Sequence, residues 1–313
     1  MLRSNPVADM LATTPTIVLD GALATELEAR GCDLTDPLWS ARVLIENPAL
    51  IYQVHLDYFN AGAQCAITAS YQATPQGFKA RGLDERQSLA LIEKSVRLAA
   101  QARDDYRRDH PESGRLLIAG SVGPYGAYLA DGSEYRGDYA LPPAEMMAFH
   151  RPRIAALLDA GVDILACETL PSFAEIKALV DLLAEFPQAS AWFSFTLRDS
   201  HHLSDGTPLP DVLLLLNRCP QVVAVGINCI ALDSVTAALT QLSANTSLPL
   251  VVYPNSGEHY DAVSKTWERH ADEACSLTAH LAQWRAAGAK LIGGCCRTTP
   301  ADIAGIARFC QSA

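Results

Sequence analysis

Two adjacent cysteines, Cys295 and Cys296, follow directly on Gly293-Gly294, and a third, Cys229, follows Asn228. Three thiolates form a soft donor set that suits Zn²⁺. A structural zinc site ordinarily takes four protein ligands, whereas three leave one position for water or a substrate. Neighbours in an extended strand point to opposite faces, so Cys295 and Cys296 reach one ion only where the strand has ended and the chain bends. The paired glycines make that bend accessible. The spacing leaves other roles equally open. Free cysteine is a common buried residue, and a vicinal dithiol can be a redox pair, although the usual redox spacing is Cys-x-x-Cys. The nearest candidate for a fourth ligand is His259, in a loop.

Two carboxylates stand in similar settings. Glu168 follows Cys167, and Asp20 precedes Gly21-Ala22. They can bind a cationic substrate group or act as a general acid/base pair, as in a glycosidase-like barrel. Asp before Gly also makes an ordinary turn.

These residues sit at the ends of aliphatic runs. Strands are expected near Thr16–Gly21, Cys65–Ser70, Leu116–Ser121, Ile164–Glu168, Ala191–Leu197, Val222–Cys229, Leu248–Pro254 and Lys290–Cys295, with helical patterns between them. The clearest helix spans Ser88–Arg107, with Leu91, Val96, Leu98 and Ala99 near one face. Ala61-Gly62-Ala63, Ala160-Gly161-Val162 and Ala287-Gly288-Ala289 each separate a helical stretch from a strand, the place of a C-capping glycine. Eight such alternations indicate an α/β protein, a single (β/α)₈ TIM barrel over residues 1–313. The first strand lacks the Gly-x-Gly-x-x-Gly of a dinucleotide-binding open sheet. Barrel active sites form at the carboxyl ends of the strands. Asp20, Thr68, Ser70, Tyr71, Glu168, Asn228, Cys229, Cys295 and Cys296 all fall there.

Composition narrows the class. The 313 residues carry a formal net charge of −11 and no basic cluster, which argues against a nucleic-acid partner. Absence of a signal-peptide core or of about 18 consecutive apolar residues argues against a membrane span and for a cytoplasmic protein. The nine dispersed cysteines are expected to be reduced thiols rather than a disulfide framework.

Several motifs together resemble the homocysteine S-methyltransferases: Asp20-Gly21-Ala22, Thr68-Ala69-Ser70-Tyr71-Gln72, Gly120-Ser121-Val122-Gly123-Pro124, Cys167-Glu168-Thr169, Gly226-Ile227-Asn228-Cys229 and Gly293-Gly294-Cys295-Cys296-Arg297-Thr298-Thr299-Pro300. The resemblance covers nearly the whole chain. It implies a (β/α)₈ barrel, Zn²⁺ on Cys229, Cys295 and Cys296, and methionine formed from homocysteine. It also implies that Glu168 holds the homocysteine ammonium with Asp20 assisting, and that Gly21 and Ala22 offer backbone N–H groups to its carboxylate. The compact length and the segments Gly120–Asp138 and Ser256–Trp267 look most like the branch using S-methylmethionine, often also S-adenosylmethionine. The betaine-using branch carries a longer C-terminal arm, and a monomer or small homo-oligomer is expected here. Thr68, Ser70 and Asn228 are candidates to hydrogen-bond substrate or orient the metal ligands. A sulfonium cation is attracted to aromatic faces, for which Tyr71, Tyr125, Tyr128, Tyr253 and Trp39 are candidates. The rivals are a vicinal-dithiol redox protein, which predicts Cys295–Cys296 oxidation, and a closed zinc sensor with a fourth protein ligand. The Ala127–Pro143 insertion is a candidate lid.

Overall fold

Each aliphatic run forms a short parallel strand because a buried strand satisfies its backbone only through its neighbours and presents apolar side chains on both faces. The computed structural model describes residues 4–33, 39–256, 259–261, 266–268 and 276–312, with side chains left undescribed at 39–41, 259–261 and 266–268. Its main sheet contains β1 (Ile17–Val18), β2 (Cys65–Ile67), β3 (Leu117–Val122), β4 (Ile164–Leu170), β5 (Ala191–Phe195), β6 (Val222–Asn228), β7 (Leu250–Tyr253) and β8 (Ala289–Ile292). The order is β1-β8-β7-β6-β5-β4-β3-β2, so strands adjacent in sequence are adjacent in space. A parallel bridge between Leu19 and Cys65 closes the ring, with Asp20 N donating to Cys65 O at 3.0 Å. This is a (β/α)₈ barrel.

The alternation of a strand divides the core in two. Ile17, Leu19, Leu117, Ala119, Ile164, Ala166, Trp192, Ala224, Val251 and Leu291 fill the barrel interior, joined by Val7 and Met10 of the N-terminal helix Pro6–Leu11. The intervening strand residues pack outward against the helices. The expected helix over Ser88–Arg107 runs from Glu85 to Asp109, opened by a capping box of Asp84 and Gln87. Val96 and Ala99 are buried, and Leu91 and Leu98 pack partly buried against the same core. Gly62, Gly161 and Gly288 take φ of 102°, 89° and 104°, the left-handed conformation that ends each helix before the next strand.

Several strands are shorter than their aliphatic runs. β1, β2 and β8 stop at Val18, Ile67 and Ile292, short of the expected Gly21, Ser70 and Cys295. Beyond those points the backbone leaves the ladder for loop-to-loop bonds: Gly294 N donates to Asp20 O at 3.1 Å and Cys295 N to Pro254 O at 2.7 Å. The residues expected to do chemistry lie in this departing backbone.

Candidate metal centre and substrate cavity

Following the inward positions upward along each strand explains the site. Above Ala119 comes Ser121, above Ala166 comes Glu168, above Trp192 comes Ser194, above Ala224 and Gly226 comes Asn228, and above Val251 comes Tyr253. The interior is thus apolar at its base and polar at its top. Ser121 Oγ donates to Glu168 Oε1, and Tyr253 OH donates to Glu168 Oε2 at 2.9 Å. Trp192 Nε1 donates to Tyr253 OH at 3.1 Å, and Ser194 Oγ bridges Tyr253 OH at 2.7 Å and Asn228 Oδ1 at 2.8 Å. Asn228 also accepts from Thr169 N and donates to Thr169 Oγ1, both at 2.8 Å. Cys167, one position out of phase, points outward into the core, and burial pushes its thiol up to about 12.

Above this layer lies a cavity of about 360 Å³. Asp20, Gly21, Ala22, Thr68, Tyr71, Glu168, Asn228, Cys229, Cys295 and Cys296 all line it. Ser70 does not: it is fully buried behind the wall, where it bonds Thr68 Oγ1 at 2.7 Å and donates to Ser121 O at 2.8 Å. There its hydroxyl is placed to orient Thr68. Tyr253 reaches the cavity, but Tyr125 and Tyr128 pack with Phe149 in an aromatic cluster that does not line it. The side chains of Trp39 and His259 lie outside the described residues. Ser121, Glu134, Tyr135, Thr169 and Arg297 also line the cavity. Period-two alternation from Ala119 points to Ser121. Glu134 and Tyr135 belong to the 3₁₀ turn Ser133–Tyr135, within the insertion named as a lid, and no local sequence signal marks them.

Cys229 follows β6 with φ of 52°, a left-handed turn uncommon for a residue with a side chain. The glycines before Cys295 act by close approach rather than by positive φ. A Cβ on Gly293 would lie 2.6 Å from Leu19 Cβ, and one on Gly294 would lie 2.4 Å from Thr298 Oγ1. Thr298 ties the loops together: its Oγ1 accepts from Ala22 N at 3.1 Å and donates to Cys295 O at 2.7 Å. The Ala22 N–H is thus engaged within the protein. Thr299 then caps the helix Pro300–Gln311 with Asp302.

The sulfurs of Cys229, Cys295 and Cys296 lie within 4.8 Å of one another. Tetrahedral Zn–S bonds of about 2.3 Å place ligand sulfurs about 3.8 Å apart, so this cluster fits one ion. No other group of three or more metal-ligating side chains occurs among the described residues. Cys229 and Cys295 are joined in a disulfide. This single pair arises because the fold brings two sulfurs from different strand ends to bonding distance; Cys32, Cys65, Cys167, Cys219, Cys296 and Cys310 are free, so no disulfide framework runs through the described residues. The pair differs from the Cys295–Cys296 pairing of the redox rival. Cys296 retains a free thiol.

Electrostatically the cavity is negative. Asp20, Glu28, Glu134 and Glu168 line it against Arg297, which faces Glu28 at 3.8 Å. Burial raises Glu168 above the usual carboxylate range, opposed by its bonds from Ser121 and Tyr253 and by the charge of Arg153. Burial also raises Asp20 well above that range, opposed by the amide of Ile67 and reinforced by the charge of Glu168. Two desolvated carboxylates in one cavity favour a cation between them.

Arg153, 1% exposed, supports the walls from behind. It donates to Tyr71 O at 2.7 Å, to Gly123 O at 2.6 Å and to His150 Nδ1 at 3.0 Å. His150 Nε2 then donates to Glu175 Oε1 at 2.7 Å, and Glu175 also holds Tyr125 N and the Tyr139 hydroxyl. Arg153→Met should destabilise the fold by about 3–5 kcal/mol, since it leaves a buried carboxylate network without its cation. Chemical denaturation measures this.

The comparisons agree with the geometry. The family model for homocysteine S-methyltransferase matches residues 17–310. The homocysteine S-methyltransferase of Escherichia coli is 68% identical over 306 residues, covering 98% of this chain and 99% of that one. The crystal structure of the homocysteine methyltransferase MmuM from E. coli in its metallated form superposes with a TM-score of 0.90 at 64% identity, over 97% of this chain and 100% of that one. Its oxidised form superposes with a TM-score of 0.91 at 64% identity, over 98% and 100%. The chain is a methyltransferase belonging to the homocysteine S-methyltransferase family.

Proposed function

We propose that this enzyme transfers a methyl group from S-methylmethionine or S-adenosylmethionine to the thiol of homocysteine, producing methionine, with Zn²⁺ held by Cys229, Cys295 and Cys296. The observation that carries this reading is the placement of three cysteine sulfurs and two buried carboxylates on one cavity. When bound, the ion supplies an open coordination position that keeps a substrate sulfur as the nucleophilic thiolate.

The remaining chemistry belongs to the protein. Glu168, fixed by Ser121 and Tyr253, receives the homocysteine ammonium, and Asp20 adds a second negative charge. Gly21 and Ala22 form the wall beside the homocysteine carboxylate; the Ala22 N–H reaches it only by leaving Thr298. Thr68 and Asn228 stiffen the cavity, Asn228 by holding Thr169 in its left-handed position directly after Glu168. Tyr71 offers its ring to the donor. The leaving group is a neutral thioether, so no general acid is required. A thiolate site works in a reducing compartment, which supports a cytoplasmic location. No helix among the described residues is long and apolar enough to cross a membrane.

The test is methionine formation by the reduced, zinc-loaded enzyme with S-methylmethionine, S-adenosylmethionine and betaine supplied separately. Turnover with a sulfonium donor and about one zinc per chain is expected. Turnover by the metal-free enzyme, or with betaine alone, would overturn the reading.

A further inference from the structure

We propose that Glu134 is the counter-charge for the donor sulfonium, making the cavity select cationic over neutral donor compounds. This rests on the sulfonium-donor reading above and names a residue for it.

Glu134 stands in the 3₁₀ turn Ser133–Tyr135 and lines the cavity with Tyr71, Tyr135 and Cys296. Its Oε2 is shielded from solvent and has no hydrogen-bond partner. A carboxylate oxygen left in that state is costly unless a ligand supplies the missing positive charge. Among the described residues no cation forms an ion pair with Glu134, although the charge of Arg136 is felt there and partly offsets its desolvation. The neighbouring Arg136 bonds Asp138 at 2.8 Å, faces Asp131 at 3.8 Å and also bonds Ser133 Oγ. Desolvation accordingly raises Glu134 above the usual carboxylate range, and its negative charge is felt at both Cys296 and Tyr71.

The turn is held firmly. Thr196 Oγ1 donates to Glu134 O at 2.9 Å, and a Cβ on Gly126 would lie 2.6 Å from Glu134 N, so the preceding helix Tyr125–Leu129 packs directly on it. The backbone of Glu134 is therefore fixed beside the cavity that the residue lines. Glu168 and Asp20 account for one cation at the floor, the acceptor ammonium. Glu134 lies on the loop after β3, beside the aromatic rings, and serves a second cation. The acceptor sulfur must lie beside the cysteines, so the donor sulfur lies on their open side.

During transfer the donor S–CH₃ bond breaks and a bond from that methyl to the acceptor sulfur forms. The electron pair of the broken bond stays on the donor sulfur, which becomes a neutral thioether, and the acceptor proton has already left to solvent. The positive charge that Glu134 attracts is thus present in the bound donor and reduced in the transition state. Its removal should weaken donor binding more than it slows the chemical step.

The experiment measures binding of two ligands to the zinc-loaded enzyme by calorimetry without acceptor. The ligands are S-methylmethionine and 2-amino-5-methylhexanoate, its neutral isostere with CH in place of S⁺. For Glu134→Gln we expect S-methylmethionine to bind about 10-fold more weakly and the isostere unchanged. In turnover we expect a donor KM about 10-fold higher, kcat within about threefold, an unchanged homocysteine KM and partial recovery in Glu134→Asp. Equal weakening of both ligands would place Glu134 at the amino-acid end and overturn the proposal, as would no change in either. A wild-type enzyme that turns over no sulfonium would instead overturn the donor reading itself.

Discussion

Cys296→Ser is expected to lose bound zinc and to lower methionine formation on the order of 10³-fold or more, because a serine hydroxyl is not ionised at neutral pH and is a harder, weaker ligand. Cys296 is outside the Cys229–Cys295 disulfide, so the substitution probes ligation without removing that bond. The reduced wild type should take up about one equivalent of zinc by elemental analysis, and the oxidised wild type should take up none until a reductant opens Cys229–Cys295. Cys32→Ser, at a cysteine that does not line the cavity, should retain both metal and activity. Full activity in Cys296→Ser would exclude this thiol from the metal centre.

Glu168→Gln should raise the homocysteine KM about 100-fold, equivalent to about 3 kcal/mol, since a buried charged hydrogen bond to the ammonium is lost while the cavity keeps its shape. The zinc content should not change. The same substitution has a pH signature in stability. The folded-state pKa of Glu168 lies above its usual value of 4.5 because burial disfavours the charged form. A group raised in this way contributes stability that is fully present below the unfolded pKa and is lost as pH rises through the folded one. The wild type should therefore lose stability relative to Glu168→Gln between pH 4.5 and the raised value, as read by denaturant midpoints across pH. A parallel pair of stability curves would show that Glu168 is not the titrating group. An unchanged homocysteine KM would remove it from ammonium binding.

Much of the site is legible in local pattern. Asp20, Glu168, Asn228, Cys229, Cys295 and Cys296 stand at the carboxyl ends of aliphatic runs, and in a closed parallel barrel those ends converge whatever the loops do. Cys167 and Glu168 show where pattern needs the fold. Adjacent in sequence, both chemically capable, they separate because one faces the helices and the other faces the cavity. Ser70 stands behind the cavity wall for a similar reason: the chain turns after Ile67, and that turn places the hydroxyl behind Thr68.

By itself, then, the amino-acid order determined the barrel, through runs and capping glycines whose physics is local, and it marked Cys229, Cys295 and Cys296 as candidate metal ligands while leaving other roles for them open. Only the tertiary structure decided the pairing of Cys229 with Cys295, the Ser121–Glu168–Tyr253–Ser194–Asn228 layer, the support from Arg153 and the placement of Glu134. These depend on hydrogen bonds and contacts between residues tens of positions apart. Strand alternation says that two faces exist, but only closure of the ring makes one of them the interior.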